Sequence, residues 1–192
     1  MNHNSNVRTI TLMGLGIGLN VIGAFIALTL RLPIYLDSIG TILIACLLGP
    51  RYAVLAGVCG SLVSGMTFDV YSLYFAPVQI TTGYFAGLMY NKEFLKGKKT
   101  PLGILIITIP TTIISAFITA YIFGGVTSSG SSYIVKILSA MQVPDVIGVF
   151  VTQLFTDYAD EFVAVLLVGI ATKALPRELK ISLTANKRRQ NG

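Results

Sequence analysis

Charge is scarce in this chain. Only 11% of its 192 residues are Asp, Glu, Lys or Arg, while 54% are hydrophobic. A soluble domain carries about 25% charged residues. A water-soluble fold would have to hide the apolar runs Ile10–Leu30, Leu102–Phe123 and Val146–Ala171 in one core, and runs of such length are bilayer spans instead. Histidine is almost absent. The single one, His3, lies in a polar N-terminal stretch, which sets aside Ser–His catalysis and histidine-ligated metals. The two cysteines, Cys46 and Cys59, sit in apolar stretches with no metal or disulfide spacing and read as buried free thiols. No GxxxxGK[ST] is present, so the chain has no P-loop with which to hydrolyse ATP. No connection is long enough for a soluble catalytic domain, and no cofactor or metal site is expected.

What is there is a series of apolar segments. Residues 10–30 form an uncharged run long enough to span, and no small-x-small cleavage site marks it as a signal peptide. Ser38–Met66 reads as two short apolar runs, 38–48 and 51–66, split at Gly49-Pro50-Arg51, because Pro50 lacks an N–H and disfavours helical geometry at Gly49. Further spans are expected at 73–90, 102–123 and 146–171, with Pro77 near the start of the first of these and Pro110 inside the second. Asn91–Thr100 is a hydrophilic loop. Gly124–Ser132, GGVTSSGSS, has the composition of a flexible linker. Ile134, Ile137, Leu138 and Met141 then mark a short amphipathic helix.

Basic residues set the topology. With six spans and the N-terminus inside, the inner segments hold Arg8, Arg51, Lys92, Lys96, Lys98, Lys99, Lys173, Arg177, Lys180, Lys187, Arg188 and Arg189, which is 12 of 14. The outer segments hold Arg31 and Lys136. Treating Ser38–Met66 as one broken span strands part of this charge on the wrong side in either orientation. The positive-inside rule therefore favours a single domain, 1–192, that is an all-α integral membrane protein. It is a compact bundle of six transmembrane helices with both termini cytoplasmic and a basic tail at 173–192. The net charge of +6 then faces anionic inner-leaflet lipid and calls for no nucleic acid.

The last span carries the most information. Gln153, Asp157, Asp160 and Glu161 recur at i, i+4, i+7 and i+8, on one helical face. Acidic side chains inside a span cost about 2.5–3.5 kcal/mol each on insertion scales. Two readings fit the stripe: a polar site for a solute or ion, or carboxyl groups hydrogen-bonded to neighbouring helices. Asp157 should lie near mid-membrane, Gln153 toward the outside, and Asp160 and Glu161 toward the cytoplasm. On the outer side, Tyr35 and Asp37 fall in the first loop, Asp69 and Tyr74 in the second, Gln79 opens the fourth span and Tyr121 closes the fifth. Aromatic faces with a few fixed polar groups suit a small planar ligand. The alternative for the tyrosines is an interfacial belt, and for Asp37, with Ser38, a helix N-cap. Small residues line two spans. Ala53, Gly57, Ser61 and Gly65 should pack within the chain, whereas Gly14, Gly18, Gly23 and Ala27 serve either internal packing or contact with another subunit.

Two segments carry a resemblance. LPIYLDSIGTILIACLLGPRYAVLAGVCGSLVSG (Leu32–Gly65) resembles spans 2 and 3 of the substrate-binding S components of energy-coupling factor (ECF) transporters, and TDYADEFVAVLLVGIATKALP resembles their sixth helix, where a D-x-x-D-[KE]-like run recurs. The likeness covers most of Ile10–Pro176, and within the family the chain is most similar to the group carrying vitamin B6-type substrates. The family's first span often carries Ala-x-x-x-Ala repeats that contact the coupling subunit, matched here by Gly14-x-x-x-Gly18 and Gly23-x-x-x-Ala27; a Lys often follows the last aspartate of the run, where this chain has Glu161. The resemblance implies a non-enzymatic uptake subunit in the plasma membrane. It would capture a vitamin-like solute, best guess pyridoxine or pyridoxal, at the outer face and topple in the bilayer. A membrane coupling subunit and two cytoplasmic ATPases would supply the energy. The expected solute contacts are Tyr35, Asp37, Asp69, Tyr74, Gln79, Tyr121, Gln153 and Asp157. The alternative is a ligand-sensing module that signals to a partner, which would be expected to carry an output domain beyond the last span.

Overall fold

The computed structural model describes residues 3–174, with side chains from Asn6 onward; Arg177, Lys180, Lys187, Arg188 and Arg189 of the expected basic tail lie outside the described residues. The described residues form helices and connections with no strand. The helices are α1 (His3–Thr29), α2 (Ile39–Leu48), α3 (Pro50–Thr67), α4 (Tyr71–Tyr74), α5 (Ala76–Asn91), α6 (Thr100–Phe117), α7 (Ser131–Ala140) and α8 (Asp145–Ala174). A 3-10 turn, Gly97–Lys99, leads into α6, and a π turn, Ile118–Ile122, continues it. The helical stretches Asn6–Thr29 and Gly97–Ile122 are each long and apolar enough to cross a membrane.

α2 is the centre of the bundle. It is apolar all round, and Ile42, Ile44 and Ala45 are fully buried among α1, α3, α5 and α8. A helix with no polar face belongs in an interior. Ten residues rise only about 15 Å, half a hydrocarbon core. The break after it follows from Gly49 and Pro50. Gly49 adopts φ 94°, closed to most side chains, and Pro50 opens α3 at the first-turn position where its missing N–H does no harm.

Close helix approach rests on small residues. Ala53, Ala56, Gly57, Gly60, Ser61 and Ser64 are buried on α3, where the helix packs on α1, α2 and α5. On α5, a Cβ at Gly83 or Gly87 would collide with the backbone of Ala53–Val54 or with Pro50. α1 and α2 cross at Gly16 and Gly40, where a Cβ on Gly40 would run into the Gly16 carbonyl. The outward faces stay apolar: Ile10, Phe25, Ile113, Phe117, Leu166 and Ile170 are all exposed. Continuous surfaces of this kind match lipid rather than water.

Three local expectations are corrected. α1 begins at His3, in the polar stretch ahead of the expected start at residue 10, because no Gly or Pro interrupts it before Gly14. The Gly124–Ser132 segment is tied down rather than loose: Thr127, Ser129, Ser131 and Ser132 are buried, and Ser132 Oγ accepts from the Thr127 N–H at 2.8 Å. Serine and threonine side chains give this glycine-rich segment local hydrogen bonds that composition alone does not show. The Ile134, Ile137 and Met141 stripe of α7 points outward, while Val135 is the residue buried against Ala116 and Val149.

Candidate functional site

The α1–α2 loop folds back over the bundle. Leu36 holds a left-handed φ of 53°, and its amide N–H donates to Asp160 Oδ1 at 2.8 Å, so the loop is pinned to the acidic stripe of α8. Beneath it lies a cleft of about 550 Å³, counting its open mouth. Its walls come from the loop, the Asp69–Phe75 turn, α5, α6 and α8. Five carboxyl groups line it: Asp37, Asp69, Asp157, Asp160 and Glu161. Tyr35 and Phe75 form an aromatic side with ring centres 5.8 Å apart. A second cleft, about 1100 Å³, opens toward the opposite end of α2, but Lys96 and Lys173 are the only charged groups on its wall. The first cleft is smaller, yet it is the one where polar groups converge, the feature that marks ligand sites.

The acidic stripe faces a ladder of hydroxyls on α6. Glu161 accepts from Thr108 (2.6 Å) and Thr111 (3.0 Å), and Asp157 from Thr112 (2.8 Å) and Ser115 (3.0 Å). Gln153 accepts from Ser115 at 3.1 Å and donates to Thr119 Oγ1 at 2.7 Å, in the π turn. Both periodicities are helical, so the two rows meet rung by rung. The stripe therefore has two surroundings. Its carboxyl groups bond the neighbouring helix, and Asp157, Asp160 and Glu161 also border the cleft.

A second network positions the loop and α5. Asn20 Oδ1 accepts from the Gly40 N–H (2.7 Å) and the Thr41 N–H (3.1 Å). Asn20 Nδ2 donates to Thr41 Oγ1 at 2.8 Å, Thr41 donates to Gln79 Oε1 at 2.7 Å, and Gln79 Nε2 donates to the Asp37 carbonyl at 3.3 Å. The expected N-cap at Asp37-Ser38 does not form through a side chain. Ser38 occupies the cap position without a cap hydrogen bond, and Asn20 satisfies the free amides in its place.

The Thr127–Ser132 segment is tied to two residues of the cleft wall. Tyr35 OH and Thr127 Oγ1 share a hydrogen bond at 3.1 Å, and Ser128 Oγ donates to Asp69 Oδ2 at 2.9 Å, beside the Ser72 hydroxyl at 3.0 Å. The Gly130 N–H donates to the Leu32 carbonyl at 3.0 Å. In the loop, burial raises the Asp37 carboxyl to about 6; the Gln79 hydrogen bond opposes this and the charge of Asp69 adds to it. Burial also pushes the Tyr35 hydroxyl upward.

Of the residues expected to contact solute, Tyr35, Asp37, Asp69, Gln79 and Asp157 line the cleft. Gln153 is buried behind Ser115, and Tyr74 and Tyr121 lie outside it, exposed against Phe123 and Phe117 respectively. Asp160 and Glu161, expected deeper, reach the same cleft, and Ser38, Phe75 and Thr82 were not anticipated. Of the small residues on α1, Gly23 and Ala27 are buried within the chain, Gly23 against Leu36, whereas a Cβ at Gly14 or Gly18 would meet nothing within 4 Å.

The family model described as ECF transporter, substrate-specific component, matches residues 8–183. The chain belongs to that family. It is a membrane protein, and its role is that of a transporter subunit rather than an enzyme. Substrate-specific components bind a small-molecule substrate and work with a membrane coupling subunit and ATPases. No curated protein and no solved structure matches the chain. Among the described residues, the Asp157 cleft combines an aromatic side with fixed hydrogen-bonding groups.

Proposed function

We propose that this substrate-specific component captures a vitamin-like solute at the outer face of the plasma membrane, in the cleft between the α1–α2 loop and the acidic stripe of α8. The observation that carries this reading is the convergence of Tyr35, Asp37, Asp69, Gln79 and Asp157 on one cleft in a chain of this family. The chain crosses the bilayer six times, through α1, α2, α3, α5, α6 and α8, with both termini cytoplasmic. The support is the 12-to-2 distribution of basic residues. α2 and α3 form a short hairpin in which the rest of the bundle shields α2 from lipid, while α3 keeps Leu55, Leu62, Val63 and Met66 exposed on its outer face. Vitamin B6 compounds are the first solutes to test, since a substituted pyridine ring can lie against the Tyr35–Phe75 pair with polar substituents toward Asp157.

Energy comes from outside the chain. A membrane coupling subunit carrying two ATPases drives the transition from the outward-open site to release inside, and the open α1 face at Gly14 and Gly18 is offered to it. No bond in the solute is made or broken. The test is uptake of radiolabelled pyridoxine, pyridoxal and pyridoxamine by cells expressing the chain with and without a coupling module. ATP-dependent accumulation only in the co-expressing cells is the expected result. Accumulation by the purified chain in liposomes without ATP would instead establish a gradient-driven carrier.

A further inference from the structure

The cleft contains many more acceptors than protons. Thr111 Oγ1 has one proton and lies within hydrogen-bond distance of the Ile107 carbonyl, the Thr108 carbonyl and Glu161 Oε1. Ser115 Oγ likewise has one proton for the Thr112 carbonyl, Gln153 Oε1 and Asp157 Oδ2. Thr108 divides its proton between the Ile104 carbonyl and Glu161 Oε2. Hydroxyls therefore cannot satisfy these carboxyl oxygens in full. No Lys, Arg or His lines the cleft, and the one ion pair among the described residues, Lys96–Glu93, lies on the exposed loop after α5.

A second observation points the same way. Ser38 is 97% buried and lines the cleft, and its Oγ lies near enough to the Asp160 carboxyl to interact with it but reaches no partner at full hydrogen-bond geometry. A buried hydroxyl left unpaired costs roughly 1–3 kcal/mol, so it is normally satisfied by something. A solute group in the cleft would complete the pairing that Asp160 makes only in part. The aromatic side adds its own preference, because the faces of Tyr and Phe attract cations.

We propose that the solute is a small heteroaromatic cation whose ring lies against Tyr35 and Phe75 and whose positively charged, N–H-rich end meets Asp157, Asp160 and Ser38. This rests on the transport reading above and narrows it. A cation supplies the charge that the carboxyl cluster lacks and the protons that its acceptors lack. A neutral ring of the same shape leaves the cluster uncompensated, and an anion is repelled by it. Among B6 compounds this selects pyridoxamine, whose aminomethyl group is an ammonium at neutral pH, over pyridoxine.

The test uses the full-length chain purified into lipid nanodiscs and titrated calorimetrically with matched pairs. The pairs are pyridoxamine against pyridoxine and 1-methylnicotinamide against nicotinamide, with folate and pantothenate as anions. At least one cation should bind at least about tenfold more tightly than its neutral partner, a difference of about 1.4 kcal/mol. In Asp157→Asn and Asp160→Asn, which keep side-chain size, that ratio should fall below about threefold while the variants elute as the parent does. A neutral or anionic compound as the tightest binder overturns the cation proposal and leaves the transport reading intact. So does an unchanged ratio in both Asn variants. If no compound binds and no member of the panel is taken up when the coupling module is co-expressed, the transport reading falls and the cation proposal falls with it.

Discussion

The side-chain carbonyl of Asn20 accepts a hydrogen bond from the backbone N–H of Gly40 at 2.7 Å and another from that of Thr41 at 3.1 Å. One residue of α1 thus performs the capping that Ser38 does not, and it does so at the crossing where Gly16 and Gly40 are in backbone contact. Asn20 is 1% exposed, so no water replaces it. Asn20→Ala should leave both amides unpaired in the core and destabilise the bundle by roughly 1–3 kcal/mol. Thermal unfolding in detergent, followed by tryptophan-free methods such as circular dichroism, reads this directly. An unchanged midpoint would mean that α2 does not depend on the Asn20 cap. Because Thr41 and Gln79 continue the network to the Asp37 carbonyl, the variant should also weaken solute binding.

The α8 carboxyl groups should separate by role. Asp157→Ala removes the acceptor of both Thr112 and Ser115 and a wall of the cleft. An unpaired polar group in a dry site costs roughly 1–3 kcal/mol, which is about 5- to 150-fold in affinity. Binding should weaken by at least about tenfold while the protein still inserts. Asp160→Ala should weaken it too, since it also frees the Leu36 amide and loosens the loop. Glu161→Ala strands Thr108 and Thr111, both fully buried, and should lower stability more than affinity. Titration and melting of the three variants decide. Intact affinity in Asp157→Ala with loss only in Glu161→Ala would shift the solute from Asp157 to the Glu161 end of the cleft.

These assignments show how far the sequence reaches. The acidic stripe is legible because carboxyl groups at i, i+3 and i+4 are rare in an apolar run, and Gly49-Pro50 is legible because its backbone chemistry leaves few choices. The partner row, Thr108, Thr111, Thr112, Ser115 and Thr119, was equally periodic, but Thr and Ser are common in membrane helices and stand out only when the facing residues are known. Asn20 gave a weaker signal still, a single amide in a long apolar run. Tyr74 and Tyr121 misled because an aromatic residue near a span end serves a pocket and a lipid interface equally well, and loop path decides between them. The GGVTSSGSS segment misled for a related reason. Its composition suits a linker, yet its order comes from Tyr35, Asp69 and Leu32, 59 to 98 residues earlier by their numbers in the chain.

Topology is open to single-cysteine labelling on a background lacking Cys46 and Cys59. Under the six-span arrangement, a cysteine at Val126 should react with a membrane-impermeant maleimide added to intact cells, because Val126 is exposed on the outer side. One at Lys96 should react only after permeabilisation. Thr127 and Ser129 are buried by their contacts with Tyr35 and with Ser131, so cysteines there should react slowly even from outside. Outside labelling at Lys96 in intact cells would defeat the six-span arrangement, because the 12-to-2 charge split would then lie on the wrong faces.

Proton binding at Asp37 gives the last test. Burial raises this carboxyl to about 6, well above its ordinary value. A raised carboxyl holds its proton more tightly when the chain is folded, so this group contributes stability that is full below the ordinary value and lost as pH rises through about 6. The empty protein should therefore melt higher at pH 5 than at pH 7.5, and Asp37→Asn should flatten that difference. Binding of a cation runs the other way. Asp37 faces Asp69 in the second loop, Asp157, Asp160 and Glu161 on α8, and the hydroxyl of Tyr35, while the cleft-lining residues of α5 and α6 carry no charge. A bound cation favours the ionised carboxyl against all of them. Affinity for a permanent cation such as 1-methylnicotinamide should rise between pH 5 and 7.5, by up to about tenfold per pH unit below 6 if the proton must leave first. A ligand with fixed charge keeps its own titration out of the measurement. Calorimetry at four pH values on the parent and Asp37→Asn separates the cases: a slope that persists in the variant assigns the dependence to the α8 carboxyl groups, and no slope in the parent removes Asp37 from the site.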